Sequence, residues 1–394
     1  MSKLTRFLSH LLQIVIIHGL SVSCTSDDNP FSLLDTEYIE FVPKGKIISQ
    51  SSKEIHVTDE KTKLLLYDHI LYLQDMSLTV TFQLVSDNPL KISIGKTYGY
   101  FNLYSDRIEI YSYAGSDIQP QINETLDLPH NLKQGITYKA GFNKTISGVE
   151  FFLIGGDLSV KRYYNADEDF MQYVMPGKTF VAVNSGDVMI NGAVISSTTN
   201  ENPLIHIIGD SFIEGAALPQ FGYNINERWC IKLAHEISEE KCMIDGRGGD
   251  KVGAEWFERL KTECGLLKSK YVFICMGTNN YYMLDQYSEY MTKAISFLHS
   301  NNQIPILVTV TPRIGMNYQS TAGIINEWVK NSGELYVDFH AALTEPDDPS
   351  QWRREYMLPD GIHPSPKGYD AMYECLVSSM PELFESSSTT ESQN

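Results

Sequence analysis

Four short groups of residues carry the chemistry open to this chain. They are Gly209-Asp210-Ser211, Gly246-Arg247-Gly248-Gly249-Asp250, Gly277-Thr278-Asn279-Asn280 and Asp360-Gly361-Ile362-His363. A serine hydroxyl is a weak nucleophile until a neighbouring base takes its proton. An imidazole does this near neutral pH, and a carboxylate beside it fixes its tautomer. Glycine N–H groups and an asparagine amide are donors of the kind that a developing oxyanion needs. Brought to one place, these groups are suited to acyl transfer. They require no metal and no organic cofactor.

The elements between the groups say how they could meet. LIHII (204–208), CMID, YVFICM and IPILVTV are short continuous apolar runs, as expected of strands buried on both faces. NERWCIKLAHEIS, VGAEWFERLKTECGLL, YSEYMTKAISFLHS, AGIINEWVKNS and PKGYDAMYECLVSSM have helical periodicity, and LYVDF reads as a further strand. Strands alternating with amphipathic helices predict a parallel sheet covered on both faces. Ligands of such sheets sit at the carboxyl ends of the strands. Three of the groups follow strands directly and the fourth precedes the last helix, so all four are expected at one sheet edge.

The set resembles the SGNH (GDSL-type) serine hydrolase family. GDSFIEG (209–215) matches its first block, Gly249 its second-block glycine, Gly277 to Asn280 its third block, and Asp360 to His363 its fifth. The resemblance covers about 204 to 380, roughly half the chain. It implies a three-layer α/β fold of flavodoxin-like type and hydrolysis of acyl esters through an acyl-enzyme. Ser211 would be the nucleophile, His363 the general base and Asp360 its orienting carboxylate. Ser211 N–H, Gly249 N–H and the Asn279 amide would form the oxyanion hole. Asn280 departs from the family, which usually has aspartate there; this bears on loop geometry and substrate fit. No GxSxG elbow is present, which disfavours the α/β-hydrolase family.

Each residue has a structural alternative. Ser211 is also suited to cap a helix, Gly249 to permit a tight loop, and Asn279 to cap a turn. His363 also fits a surface loop, and a backbone carbonyl is able to replace Asp360 in a serine–histidine dyad. Arg247, Asn280, Tyr281 and Tyr282 are candidates for substrate contact. The arginine would meet an anionic group, with a solvated or structural arginine as the alternative, and the tyrosines would stack on sugar rings, with packing as theirs.

The rest of the chain bounds the setting. Lys3 and Arg6 precede an apolar run from Phe7 to Leu20 and small residues ending at Cys24, a pattern of export signals. LSVSC resembles a bacterial lipoprotein signal, with Cys24 as the lipidated residue and the polar TSDDNP after it as part of a tether. Leu20 stands four residues before Cys24, where the pattern usually has it three before. This predicts a signal over 1–24, a tether over 25–35 and a surface or periplasmic lipoprotein of a Bacteroidetes-like bacterium, membrane-bound only through that lipid. From 36 to 198 short runs rich in β-branched and aromatic residues predict an antiparallel β-sandwich. FVAVNSGDVMINGAVISS resembles the closing strands of concanavalin-like jelly rolls. SSTTNENP (196–203) reads as a linker, 199–382 as the hydrolase domain and 383–394 as a disordered tail.

The net charge is −18, with 49 acidic and 31 basic residues, which disfavours nucleic acid as a partner. Apart from Cys24 the five cysteines form no CxxC pair and read as buried thiols, although export would permit one disulfide. A β-sandwich joined to an exported esterase resembles carbohydrate esterases, so small acyl groups on a glycan are the expected substrate. The alternatives are a lipid or lysophospholipid acylhydrolase and an inert glycan-binding surface protein.

Overall fold

The computed structural model describes residues 32–33, 39–42, 55–58, 62–65, 75–96, 99–112, 121–165, 179–197, 203–215 and 217–385. The signal, Cys24, most of the tether and 198–202 of the linker lie outside them.

Alternation builds the first half. Along Met76–Leu84 every second residue is buried, so one face of this strand meets a core and the other does not. Two sheets share that core. One runs Ser32–Leu33, Thr62–Leu65, Thr179–Ser185, Lys91–Lys96, Gly99–Tyr104, Arg107–Ser112 and Gln121–Asp127 in spatial order. The other runs Leu158–Asn165, Gly148–Gly155, Thr137–Thr145, Met76–Leu84, Asp187–Ser197 and Ile39–Val42, with Ile55–Thr58 also on Asp187–Ser197. Phe82, Leu78 and Phe142 of one sheet lie in one cluster with Ile94, Phe101 and Leu103 of the other. This is a β-sandwich. Two pairings depart from the antiparallel expectation: Ile39–Val42 on Asp187–Ser197 and Ser32–Leu33 on Thr62–Leu65 are parallel. The second pairing also places Ser32 and Leu33 in a strand, where a flexible tether was expected.

The second half is α/β. Its parallel strands, labelled in chain order, are β1 (Ile205–Gly209), β2 (Cys242–Gly246), β3 (Tyr271–Cys275), β4 (Ile304–Val308) and β5 (Leu335–Val337). They lie in the order β2-β1-β3-β4-β5, the flavodoxin-like order. Burial on both faces explains why the runs were continuously apolar. Tyr271, Phe273 and Cys275 of β3 face one core, while Val272 and Ile274 face the other.

The helices are α1 (Ser211–Glu214), α2 (Ala217–Gln220), α3 (Trp229–Ile237), α4 (Ala254–Leu266), α5 (Leu284–Ser300), α6 (Ala322–Asn331), α7 (Phe339–Leu343), α8 (Pro366–Ser379) and α9 (Glu382–Glu385). Residues of α3, α7 and α8 fill the first core, and residues of α4, α5 and α6 the second. Helix α9 corrects the expected tail, because Leu383 is buried in the first core. Phe339, expected to end a strand, opens α7 behind the Asp338 cap, whose side chain accepts from Ala341 N–H. The five described cysteines are unpaired thiols, four of them buried.

Trp229 is fully buried between Phe273, at 5.9 Å between ring centroids, and Phe339, at 5.2 Å. Trp229→Ala would open a cavity that these rings cannot close. Stability is expected to fall by about 3–5 kcal/mol in denaturant titration; a loss below about 1 kcal/mol would mean that the core repacks around the gap.

Candidate active site

Ser211 is held by the way α1 meets the sheet. Asp210 caps α1, its Oδ1 accepting from Phe212 N–H at 3.1 Å. Arg228 closes the other end: its guanidinium donates to the Ile213 and Glu214 carbonyls, the latter at 3.1 Å. Tyr369 of α8 donates its hydroxyl to the Phe212 carbonyl at 2.9 Å. A Cβ at Gly246, the last residue of β2, would lie 2.1 Å from Glu214 N, so only glycine lets α1 press its backbone onto the strand end.

His363 reaches the serine from a loop ahead of α8. Its Nε2 lies 2.9 Å from Ser211 Oγ, and its Nδ1 lies 2.6 Å from Asp360 Oδ2. The other Asp360 oxygen accepts the backbone N–H groups of Ile362 (2.9 Å) and His363 (3.0 Å). The loop is closed by Leu358 N–H to the His363 carbonyl at 2.8 Å. The Phe212 ring packs 5.5 Å from the imidazole. Burial alone would raise the Asp360 carboxyl, but the His363 hydrogen bond and charge and the two N–H groups outweigh it and hold the group below its ordinary value. Asp360 is therefore an anion across the neutral range. In that state its Oδ2 is an acceptor placed at Nδ1, and Nε2 is the ring nitrogen that faces the serine.

Two further loops are tied beside this chain. Arg247 N–H donates to the Gly209 carbonyl at 3.0 Å, joining the β2 loop to the start of the serine turn. Gly249 in that loop has φ +75°, a conformation that L side chains rarely adopt. Asn279 Nδ2 donates to the Asp250 carbonyl at 3.0 Å. One amide hydrogen is used in this way, and a primary amide has two. Among the described residues no acceptor is bonded to the N–H groups of Ser211 and Gly249.

The remaining candidates divide. Asn280 is 0% exposed, and its amide both accepts from Val252 N–H and donates to the Val252 carbonyl, each at 2.9 Å. It therefore bridges two loops through a fully buried amide. It also shows why an amide suits this position: a carboxylate cannot donate. Tyr281 is 8% exposed and donates its hydroxyl to the Thr311 carbonyl, a packing role. Arg247 pairs its guanidinium with Glu255 at 3.0 Å, with Asp250 at 3.8 Å. These three side chains are already engaged within the fold, whereas Tyr282 is 66% exposed with φ +67°.

Two side chains that sequence reasoning missed support the site. Arg259 of α4 is buried and bridges Asp245 (2.7 Å), Asp250 (2.6 Å) and Glu263 (3.4 Å). It thereby anchors the loop that carries Gly249. The carboxylates of Asp245 and Glu263 also lie near His206, all within 4.8 Å of one another. The Arg259 guanidinium already neutralises both acids, so the cluster is an ion-pair knot and a poor cation site. Arg313, after β4, reaches Asn279 Oδ1 with Nη2 at 3.4 Å. The rule that ligands gather at strand carboxyl ends marks Thr311-Pro312-Arg313 as much as the glycine-bearing groups.

Burial pushes the Asp210 carboxyl up to about 7, despite the Phe212 N–H. In the unfolded chain it would ionise near 3.8. The fold holds its proton more tightly, so stability declines as pH rises between those values. Asp210→Asn keeps an acceptor for Phe212 and removes the titration. The variant is expected to melt close to the parent near pH 4 and above it near pH 8, and a gap constant across that range would refute the assignment.

Residues 207–371 match the family model described as the GDSL-like lipase/acylhydrolase family. No curated protein matches the chain. Among solved structures, a G-D-S-L family lipolytic protein from Desulfitobacterium hafniense is 22% identical, covering 44% of this chain and 98% of its own, with a TM-score of 0.39. A GDSL-like lipase from Bacteroides thetaiotaomicron is 18% identical over 46% of this chain and 88% of its own, with a TM-score of 0.36. A catalytic mutant of an acetylxylan esterase from Geobacillus stearothermophilus is 17% identical over 46% of this chain and 94% of its own, with a TM-score of 0.34.

Proposed function

We propose that this GDSL-like domain is a serine esterase in which Ser211, His363 and Asp360 act as nucleophile, base and orienting anion. The observation that carries the reading is the unbroken hydrogen-bond chain Ser211 Oγ–His363 Nε2 (2.9 Å) and His363 Nδ1–Asp360 (2.6 Å). Ser211 Oγ adds to the acyl carbonyl as His363 takes its proton. The oxyanion is met by the N–H groups of Ser211 and Gly249 and by the second Asn279 amide hydrogen. Collapse expels the alcohol, which receives the proton from His363. Water then repeats the sequence and releases the acid.

The substrate in this proposal is a small acyl ester, acetyl first, on a carbohydrate. Its support is the architecture, a β-sandwich over 36–198 ahead of a hydrolase domain over 199–382, with the exposed Tyr282 three residues after Asn279. A longer acyl chain is the second reading, favoured by the exposure of Ile314 and Met316. Export, with lipidation at Cys24, completes the proposal and rests on residues 3–24 alone.

The purified protein from residue 25 onward is expected to hydrolyse 4-nitrophenyl acetate faster than the octanoate. Ser211→Ala should abolish turnover. Asn279→Ala should lower kcat by about 100- to 1000-fold, the usual cost of one oxyanion donor. Asp360→Asn should lower it by about 10,000-fold with the fold intact, through the wrong tautomer. Turnover that survives in Ser211→Ala would remove the mechanism, and an octanoate preference would move the substrate to lipid.

A further inference from the structure

One arginine at the edge of the sheet, Arg313, stands beside Asn279 without an ion pair. Arg107, Arg162, Arg247 and Arg259 each meet a carboxylate, and Arg228 meets three backbone carbonyls. Among the described residues Arg313 meets no carboxylate within ion-pair reach, and its buried Nε has no acceptor. Its contacts are the Asn279 oxygen at 3.4 Å and the Tyr281 ring, 5.5 Å from centroid to guanidinium. Among the described residues Arg353 and Arg354 also pair with no carboxylate, but Arg313 is the one that contacts Asn279, the proposed oxyanion donor, in a chain of net charge −18. A guanidinium carries five N–H donors in a planar fork that matches a carboxylate.

The backbone under Arg313 is fixed. Asn326 bonds both the N–H (2.7 Å) and the carbonyl (2.8 Å) of Val310. Tyr281 donates to the Thr311 carbonyl and Trp352 Nε1 to the Pro312 carbonyl at 2.6 Å. Ile314 N–H donates to the Gly361 carbonyl at 3.1 Å. The side chain therefore projects from a preorganised loop, as recognition groups do.

Arg313 lines a cavity of about 770 Å³ between its own loop and the strand Asp348–Trp352. That is room for one or two sugar-sized rings, within the usual range of ligand sites of about 300–1,000 Å³. The charged groups lining it are Arg313, Arg354 and Asp348. Asp348 is engaged by the N–H (3.0 Å) and hydroxyl (2.6 Å) of Ser350, so the cationic groups outnumber it. Two lining residues also border the histidine loop: Ile314 through the bond to Gly361, and Met357 through its bridge to Pro364. His363 is the group that returns a proton to the departing alcohol, so a cavity against its loop lies on the alcohol side.

We propose that this cavity is the subsite for the alcohol half of the ester and that Arg313 recognises a carboxylate on it. The substrate class is an acyl ester of a hydroxyl-bearing acid, such as an acidic sugar unit. This rests on the serine-esterase reading above, and the test separates the two.

Parent, Arg313→Gln and Arg313→Lys are compared on 4-acetoxybenzoate and its methyl ester, which differ by one carboxylate on the leaving group. The ratio of kcat/KM for the two esters removes any general effect of losing the Asn279 contact. That ratio is expected to fall by about 10- to 100-fold in Arg313→Gln, the usual range for hydrogen bonds to a charged partner. Arg313→Lys should recover part of it. A ratio unchanged within about twofold while both esters are hydrolysed overturns the subsite and leaves the esterase standing. Preference for a carboxylate on the acyl side, read with 4-nitrophenyl hydrogen succinate, overturns it as well. Binding of 4-acetoxybenzoate to Ser211→Ala, by calorimetry, supplies a readout without turnover. Binding that weakens about tenfold on adding Arg313→Gln upholds the subsite even if the parent hydrolyses nothing, which would sink the esterase reading alone; binding indifferent to Arg313 overturns the subsite.

Discussion

Everything at this site depends on the backbone of one four-residue helix lying against the ends of two strands. The strands β1 and β2 end in Gly209 and Gly246, and a Cβ at either would collide with α1: at Gly209 with the Ile213 side chain, at Gly246 with the backbone of Glu214. So short a helix has little stability of its own. It persists because Asp210 satisfies an N–H at its start and Arg228 satisfies carbonyls at its end. Ser211 inherits its position from these contacts. The buried acids have a cost, since burial raises both Asp210 and Glu214 to about 7. Stability is given up here for a fixed Ser211, the nucleophile of the proposed reaction.

The loops that carry Gly249 and Asn279, the proposed oxyanion donors, obey the same logic with different means. A loop that presents backbone N–H groups cannot be rigidified by a helix, because its N–H groups must point outward. Side chains hold it instead. Asn280 binds Val252 in both directions, Asn279 binds the Asp250 carbonyl, and Arg259 binds the Asp250 carboxylate. Arg259 and its three acids are buried, and such charges are tolerable only as a complete set. Removing any one member would leave an uncompensated charge under the site. Preorganisation of donors is what electrostatic stabilisation of an oxyanion requires.

The parallel sheet was legible because strands buried on both faces are apolar throughout, as YVFICM and LIHII are, and alternate with amphipathic helices, while its flavodoxin-like order came only from the family resemblance. The meeting of Ser211, His363 and Asp360 was legible as an expectation because strand ends mark the edge. What escaped was set by tertiary contact. Asn280, Tyr281 and Arg247 have the chemistry of ligand-binding side chains, and only their partners, Val252, Thr311 and Glu255, reveal that they are already engaged. Leu158–Asn165 and Gln121–Asp127 are too polar to announce strands, since much of each faces solvent. The strand Asp348–Trp352 lies in a stretch of Asp, Pro and Ser that reads as a loop, yet it walls the large cavity. Arg313 belongs to no recognisable block, although a cation after β4 meets the same positional rule.

The β-rich half bears on this sheet through its edge. Strand β2 is an edge strand, and an edge leaves backbone N–H groups to be satisfied. The Asp75 carboxylate, at the entry to Met76–Leu84, accepts from Ile244 N–H at 3.3 Å. Met243 of β2 and Leu267 after α4 pack into the core of the sandwich, and Ile146 of the sandwich packs into a core of the α/β half. Burial raises the Asp75 carboxyl to about 6, against the charge of Lys144 and the Ile244 N–H. An isolated α/β half would expose Met243, Leu267 and an unpaired strand edge at once. The sandwich therefore has a structural reason to accompany the hydrolase sheet, whether or not it also binds a glycan. Its presence alone is weak grounds for a carbohydrate substrate, and the stronger grounds lie in what Arg313 and its cavity accept.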